Sequence, residues 1–252
     1  MKAIAWRLAS VAVLAGLIGL WALVANYKLV SPVFLPTPAR AWTALWNGLL
    51  HKDLAAKLMG TIGHMLGGWV VASIVGVALG ALIGSSKAAR EYIGPTLEFL
   101  RPLPASAVIP VAIALFGLST KMALGVIGFG AIWPMLLSTL HGFAATEPRL
   151  GEVSQALGLS WFSRIWKISL PSATPDILAG LRLGLTVALI LAVVCEMIGG
   201  LDGLGQYVLL AARAYRSADI FAGVILLGAI GVTANGLLSL VEARALRWRA
   251  SD

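Results

Sequence analysis

Long, mostly uncharged runs govern what this chain can fold into. A hydrocarbon core of about 30 Å takes roughly 17 to 25 apolar residues as a helix. Six stretches meet or approach that length: Leu8 to Ala25, Leu58 to Gly84, Leu103 to Leu118, Met122 to Phe143, Ile177 to Ile198 and Ile220 to Val241. Backbone groups in lipid find no water, so they must bond within their own segment, and helices are the expected form. The alternation of a barrel strand appears nowhere. The chain therefore reads as an all-α polytopic membrane protein, one domain over residues 1–252 with about six transmembrane helices. The third run is short and has Pro102, Pro104 and Pro110 in or beside it, which break helices or confine them to a first turn. Five spans plus a re-entrant piece is the alternative.

Composition agrees. Of 252 residues, 59% are hydrophobic and 12% charged, with a mean hydropathy of +0.91, whereas soluble domains carry about 25% charge. One soluble core cannot hide so much apolar surface. A net charge of +8 raises the idea of a nucleic-acid binder, but the basic residues lie between the apolar runs and not along one stripe, so no nucleic acid is expected. The single cysteine, Cys195, sits inside an apolar run, which leaves no intrachain disulfide and no cysteine-rich metal site. Lys2 and Arg7 ahead of Leu8 to Ala25 resemble a signal peptide; the length of the run and the lack of an A-x-A site favour an uncleaved first span.

Cytoplasmic loops carry the excess of Lys and Arg. With the N-terminus inside, the inner side holds Lys2, Arg7, Lys87, Arg90, Arg101, Arg149, Arg164, Lys167, Arg244, Arg247 and Arg249; the outer side holds the shorter set Lys28, Arg40, Lys52, Lys57, Lys121, Arg213 and Arg216. Both termini are expected in the cytoplasm. The first outer loop starts with the turn-rich Ser31 to Pro38 and then places Trp42, Leu45, Trp46, Leu49 and Leu50 at helical spacing. That face suits a helix lying in the outer membrane interface.

The long inner connection, Gly142 to Asp176, is too polar to span lipid yet rich in helix signals. Pro148 and Gly151 can start a helix carrying Glu152 to Leu157, with Glu152 near its positive end. Gly158 fits a helix end or a close backbone approach. Ser160 is a plausible N-cap for a second helix from Trp161 to Ile168, closed by Leu170-Pro171.

Glu152-Val153-Ser154, then Gly158, then Ile168-x-Leu170-Pro171, resembles the EAA loop of ABC-importer permeases, E-A-A-x3-G-x9-I-x-L-P, and every interval fits. Val153 and Ser154 depart from the usual alanines. The resemblance extends over most of the chain and points to the nitrate, taurine and aliphatic sulfonate branch. Phe34 to Pro38 with Trp42, Leu100 to Pro104 with Ile109-Pro110 and Phe116-Gly117, Ala179 to Arg182, Glu196, Gly203 to Gly205, and Glu242 to Trp248 are similar to that branch in order and spacing. It implies the type I ABC importer transmembrane-domain fold in a bacterial inner membrane. It also implies two cytoplasmic ATPase subunits, a second, identical permease copy, an external solute-binding protein and surrounding lipid. Glu152, Val153, Ser154, Ala156, Leu157, Gly158, Leu159, Arg164, Leu170 and Pro171 would then form the ATPase-coupling interface. The solute would be a small anion of the sulfonate, taurine or nitrate type.

Glu196 lies near the outer end of the fifth run, where a buried carboxylate is costly and so a candidate for the pathway or for gating; the other reading is a bond to a neighbouring helix or contact with the interface. His64, His141 and Asn235 are lone polar groups on apolar helices, which more often make an interhelical hydrogen bond than bind substrate or metal. Gly63, Gly67, Gly68, Gly76, Gly80 and Gly84 include small-x-x-x-small spacings for close helix crossing. Asp202 and Asp219, in the last outer loop, suit capping or solvated roles or, equally, contact with a binding protein. No phosphate-binding G-x4-G-K-[ST] loop, H-E-x-x-H or G-x-S-x-G motif occurs. A non-catalytic subunit without a cofactor is expected, with ATP hydrolysed elsewhere. An ion-driven secondary transporter would need more intramembrane ionisable residues than Glu196, and a membrane-embedded enzyme would need a catalytic cluster.

Overall fold

The computed structural model describes residues 2–51 and 53–247, excepting the side chains of residues 2–8, 10, 11, 148 and 155. Lys52, Trp248 and Arg249, and the side chains of Lys2 and Arg7, lie outside that description. The described elements are all helical: α1 (Lys2–Asn26), α2 (Pro38–His51), α3 (Leu54–Gly84), α4 (Lys87–Leu100), a 3-10 turn (Ala105–Val108), α5 (Ile109–Phe116), α6 (Thr120–Ala144), α7 (Pro148–Ala156), α8 (Trp161–Arg164), a π turn (Ile165–Ser169), α9 (Leu170–Gly199), α10 (Leu204–Arg213) and α11 (Ser217–Ala245). Among the described residues, four continuous helical segments are long and apolar enough to cross a bilayer: Leu54–Gly84, Thr120–Ala144, Trp161–Gly199 and Ser217–Ala245. A bent pair is a fifth if counted as one, and Ala12–Asn26 is a shorter apolar helix.

The chain divides into two compact units. The first comprises residues 1–60 and 202–229. In it α1 is tied to the turn before α2 by Trp21, whose indole N–H donates to the Pro36 carbonyl at 2.9 Å and whose ring stacks on Phe221. Pro38 opens α2, where a missing N–H costs nothing. The expected apolar face of α2 is divided. Leu45 is buried with Ala41 and Gly48, whereas Trp42, Trp46 and Leu50 point outward. Lys57 pairs with Asp202 at the start of α3.

The second unit comprises residues 61–201 and 230–252. Its centre is the antiparallel pair α6 and α9, packed closely because glycine faces the neighbouring backbone. A Cβ on Gly180 would lie 2.8 Å from the Pro134 carbonyl oxygen, and one on Gly130 would meet Leu191 at 2.2 Å. From the other side α3 brings Gly68, Gly76, Gly80 and Gly84 against Ile127, Ile132, Leu136 and Leu140 of α6. The glycine spacing of α3 thus serves packing within one chain.

Two expectations change. The run from Leu103 to Leu118 is helical only over Ala105–Phe116, a 3-10 turn leading into α5 that is too short to cross a bilayer alone, and it meets the preceding Lys87–Leu100 at 79° across a break of residues 101–104. Pro102 and Pro104 withdraw two backbone donors at the break, although Arg101 itself keeps helical angles, and Pro110 is accommodated in the first turn of α5. Leu170-Pro171 does not close the second loop helix either. Pro171 cannot bond the Lys167 carbonyl, and the wider π turn, in which the Leu170 N–H reaches the Ile165 carbonyl, absorbs the misfit. The helix therefore continues from Trp161 to Gly199.

Candidate functional site

The loop between α6 and α9 folds into a knuckle. α7 ends where the Leu157 N–H bonds the Val153 carbonyl at 3.0 Å and the Leu159 N–H bonds the Ser154 carbonyl at 2.9 Å. That pattern requires a left-handed residue between them, and Gly158 supplies it with φ of +62°. Ser160 then caps α8, its hydroxyl accepting from the Ser163 N–H at 3.3 Å. The Ser154 side chain is buried and donates to the Gly151 carbonyl at 2.6 Å. A hydroxyl thus occupies a position where an alanine was the norm, bonded back to its own helix.

What the knuckle presents outward is apolar. Val153 is 50% and Leu157 69% exposed, one helical turn apart, and Trp161, Phe162 and Trp166 of the next segment are exposed as well. Glu152, Ala156 and Gly158 share the exposed tip, Pro171 is exposed, and Leu159 and Leu170 are half-buried. Nothing in the chain lies within 4 Å of a Cβ built on Gly158. Arg164 differs from the rest. Its side chain is half-buried and lines a cavity of about 240 Å³ with Lys87, Arg90 and Glu147, near the buried Thr146 hydroxyl, which has no partner among the described residues. Positive side chains there gather beside the carbonyl end of α3, where Arg90 donates to the Gly84 carbonyl.

Glu196 is fully buried, one turn before α9 ends. The Thr61 hydroxyl donates to its Oε2 at 2.9 Å, and Nδ1 of His64 lies 3.0 Å from its Oε1. Thr61 and His64 are three apart on one face of α3, the only local sign that they act together. Glu196 therefore bonds a neighbouring helix and does not reach the interface. His64 makes an interhelical contact; Asn235 instead donates to the Gly231 carbonyl of its own helix at 3.0 Å. The bonds of Thr61 and His64 to Glu196 thus join α3 and α9.

Residues 72–247 match the family model described as binding-protein-dependent transport system inner membrane component. Curated relatives include the putative aliphatic sulfonates transport permease protein SsuC of Bacillus subtilis (strain 168), 31% identical over 235 residues that cover 93% of this chain and 85% of the relative. The taurine transport system permease protein TauC of Escherichia coli (strain K12) is 28% identical, with 95% and 89% covered. The nitrate import permease protein NrtB of Synechocystis is 30% identical, with 78% and 72% covered. Among solved structures, the MetNI methionine ABC transporter in an inward-facing conformation superposes with a TM-score of 0.66 at 17% identity, over 79% of this chain and 96% of that one.

Proposed function

Since this chain belongs to the family of binding-protein-dependent transport system inner membrane components and is the permease of an ABC importer, we propose that its loop between α6 and α9 is where a cytoplasmic ATPase drives it. The observation that carries this reading is the exposed apolar knuckle of Val153, Leu157, Trp161 and Phe162 around Gly158. A membrane protein that leaves such a patch at a polar loop needs a partner to cover it. Glu152, Ser154, Ala156, Leu159, Leu170 and Pro171 shape the same knuckle. Arg164 braces it from within through the small basic cavity.

In the proposed cycle, two ATPase subunits close on ATP and push on the knuckles of two identical permease copies. The continuous helix from α8 through α9 carries that push into the membrane, because a helix transmits displacement along its axis where a hinge would absorb it. The permease then alternates between inward-open and outward-open forms, with both termini cytoplasmic, and an external binding protein delivers the solute. By analogy with the named relatives, the solute is a small anion of the sulfonate, taurine or nitrate type. Glu196, tied to Thr61 and His64, serves gating by holding α3 and α9 together and does not touch the solute.

Gly158→Asn tests the docking. Asn tolerates a left-handed backbone at little cost, and the space around Gly158 is open, so the variant adds bulk only toward a partner. The expected outcome is lost ATP-dependent uptake with an unchanged unfolding temperature. Full uptake by that variant would sink the proposal.

A further inference from the structure

In the second unit a cavity of about 820 Å³ lies between the bend after α4, the middle of α6 and the middle of α9. Six of its lining residues can form hydrogen bonds: Arg101, Ser106, Trp133, Ser138, His141 and Thr186. Neither Asp nor Glu lines it, and Arg101 is the one fixed positive charge. The side chains of Arg101, Ser106, Ser138 and His141 have no partner among the described residues, and the Trp133 N–H is buried without an acceptor. The Thr186 hydroxyl reaches only the Arg182 carbonyl of its own helix, at 3.4 Å.

Elsewhere in the unit, Thr61 is paired with Glu196 and Trp69 with the Leu181 carbonyl. Arg101, Ser106, His141 and Thr186 are exposed on the cavity wall, open to water or a ligand, and the buried Trp133 N–H beside them lacks the acceptor that a buried donor needs. His141, which by sequence fits an interhelical bond, belongs to this set.

The cavity is graded along its length. Because Gly180 meets Ser138 while Gly130 meets both Leu191 and Ala105, Ser138 and His141 lie toward the knuckle, and Ile190, Leu191 and Val194 lie toward the other end, beside the turn that carries Ala105 and Ser106. A guanidinium fork with hydroxyl donors matches the oxygens of a sulfonate or carboxylate. An aliphatic wall stabilises an apolar body by about 25 cal/mol per Å² buried. It does nothing for nitrate or bicarbonate, which have no such surface.

Building on the permease reading, we infer that this cavity is a binding site for an organic anion with an apolar body. Its oxyanion head is held by the polar lining, Ser138 and His141 among it, with Arg101 as counter-charge, and its body lies along Ile190, Leu191 and Val194. Small inorganic oxyanions are poor ligands for it.

The test uses the complete permease and ATPase complex in lipid nanodiscs, without binding protein, and equilibrium dialysis of radiolabelled benzenesulfonate with nitrate as competitor. Saturable binding that a hundredfold excess of nitrate leaves in place is expected. Arg101→Gln should weaken it about tenfold or more, with partial recovery in Arg101→Lys. Ser138→Ala, a change of one atom, is the second variant and should weaken it severalfold. Displacement by nitrate at equal concentration would overturn the apolar-body assignment, and unchanged binding in both Arg101→Gln and Ser138→Ala would place the site elsewhere. Absence of binding to a complex that retains its ATPase overturns the cavity assignment alone; failure of the unaltered chain to hold any ATPase overturns the permease reading beneath it.

Discussion

The Thr61 hydroxyl on α3 donates to Oε2 of Glu196 on α9 at 2.9 Å, and both side chains are shut off from solvent. Sequence separates them by 135 positions. Beside them His64 approaches the other carboxylate oxygen, so one buried acid joins two helices through two groups on a single face. In a membrane protein such a bond is worth about 1 to 2 kcal/mol at most, but leaving a buried acceptor short of a donor costs about 1 to 3 kcal/mol.

Thr61→Val keeps the shape and removes the donor. Its unfolding midpoint in detergent should fall by several degrees, whereas Glu196→Gln, which retains an acceptor oxygen, should fall less than Glu196→Leu. Equal midpoints for Thr61→Val and the parent would show that the tie carries no stability.

Leu157→Asp should separate assembly from folding. The residue is 69% exposed, so the change leaves the fold intact, yet it removes an apolar group worth about 1.5 to 3 kcal/mol when covered by a partner. Co-purification with the ATPase should weaken by roughly ten- to a hundredfold. Pull-down from solubilised membranes reads this directly, and undiminished recovery of the ATPase would argue that Leu157 lies outside the interface.

Two glycines of α3 should respond in opposite ways. A Cβ on Gly80 would sit 2.6 Å from the Leu136 carbonyl oxygen, while one on Gly63 would meet nothing within 4 Å. Gly80→Val should therefore cost about 1 to 3 kcal/mol or more through overpacking. Gly63→Ala should be neutral or gain up to about 1 kcal/mol from the backbone entropy that glycine forfeits in a helix. Thermal unfolding of the two variants side by side decides it, and a comparable loss in both would contradict the packing described for α3 and α6.

Much of this protein was legible before any fold was known, because the signals are local. A backbone in lipid must satisfy itself within each segment, so apolar length alone announces helices. The end of α7 was equally readable: Gly158 is the residue that adopts φ of +62° without strain, and Ser160 two positions later caps the next helix. The spacing from Glu152 to Pro171 that carries the family resemblance lies in one continuous stretch.

Tertiary structure alone decided the rest. That the helix runs on through Pro171, with a π turn absorbing the misfit of its missing N–H, is seen only in the folded chain. The same holds for the pairing of Glu196 with Thr61 and His64 and for the gathering of Arg101, Ser138, His141 and Thr186 around one cavity. Those residues come from distant segments that meet only where glycines let helices approach. A linear pattern records which face of a helix is small or apolar, but not which other helix will fill it.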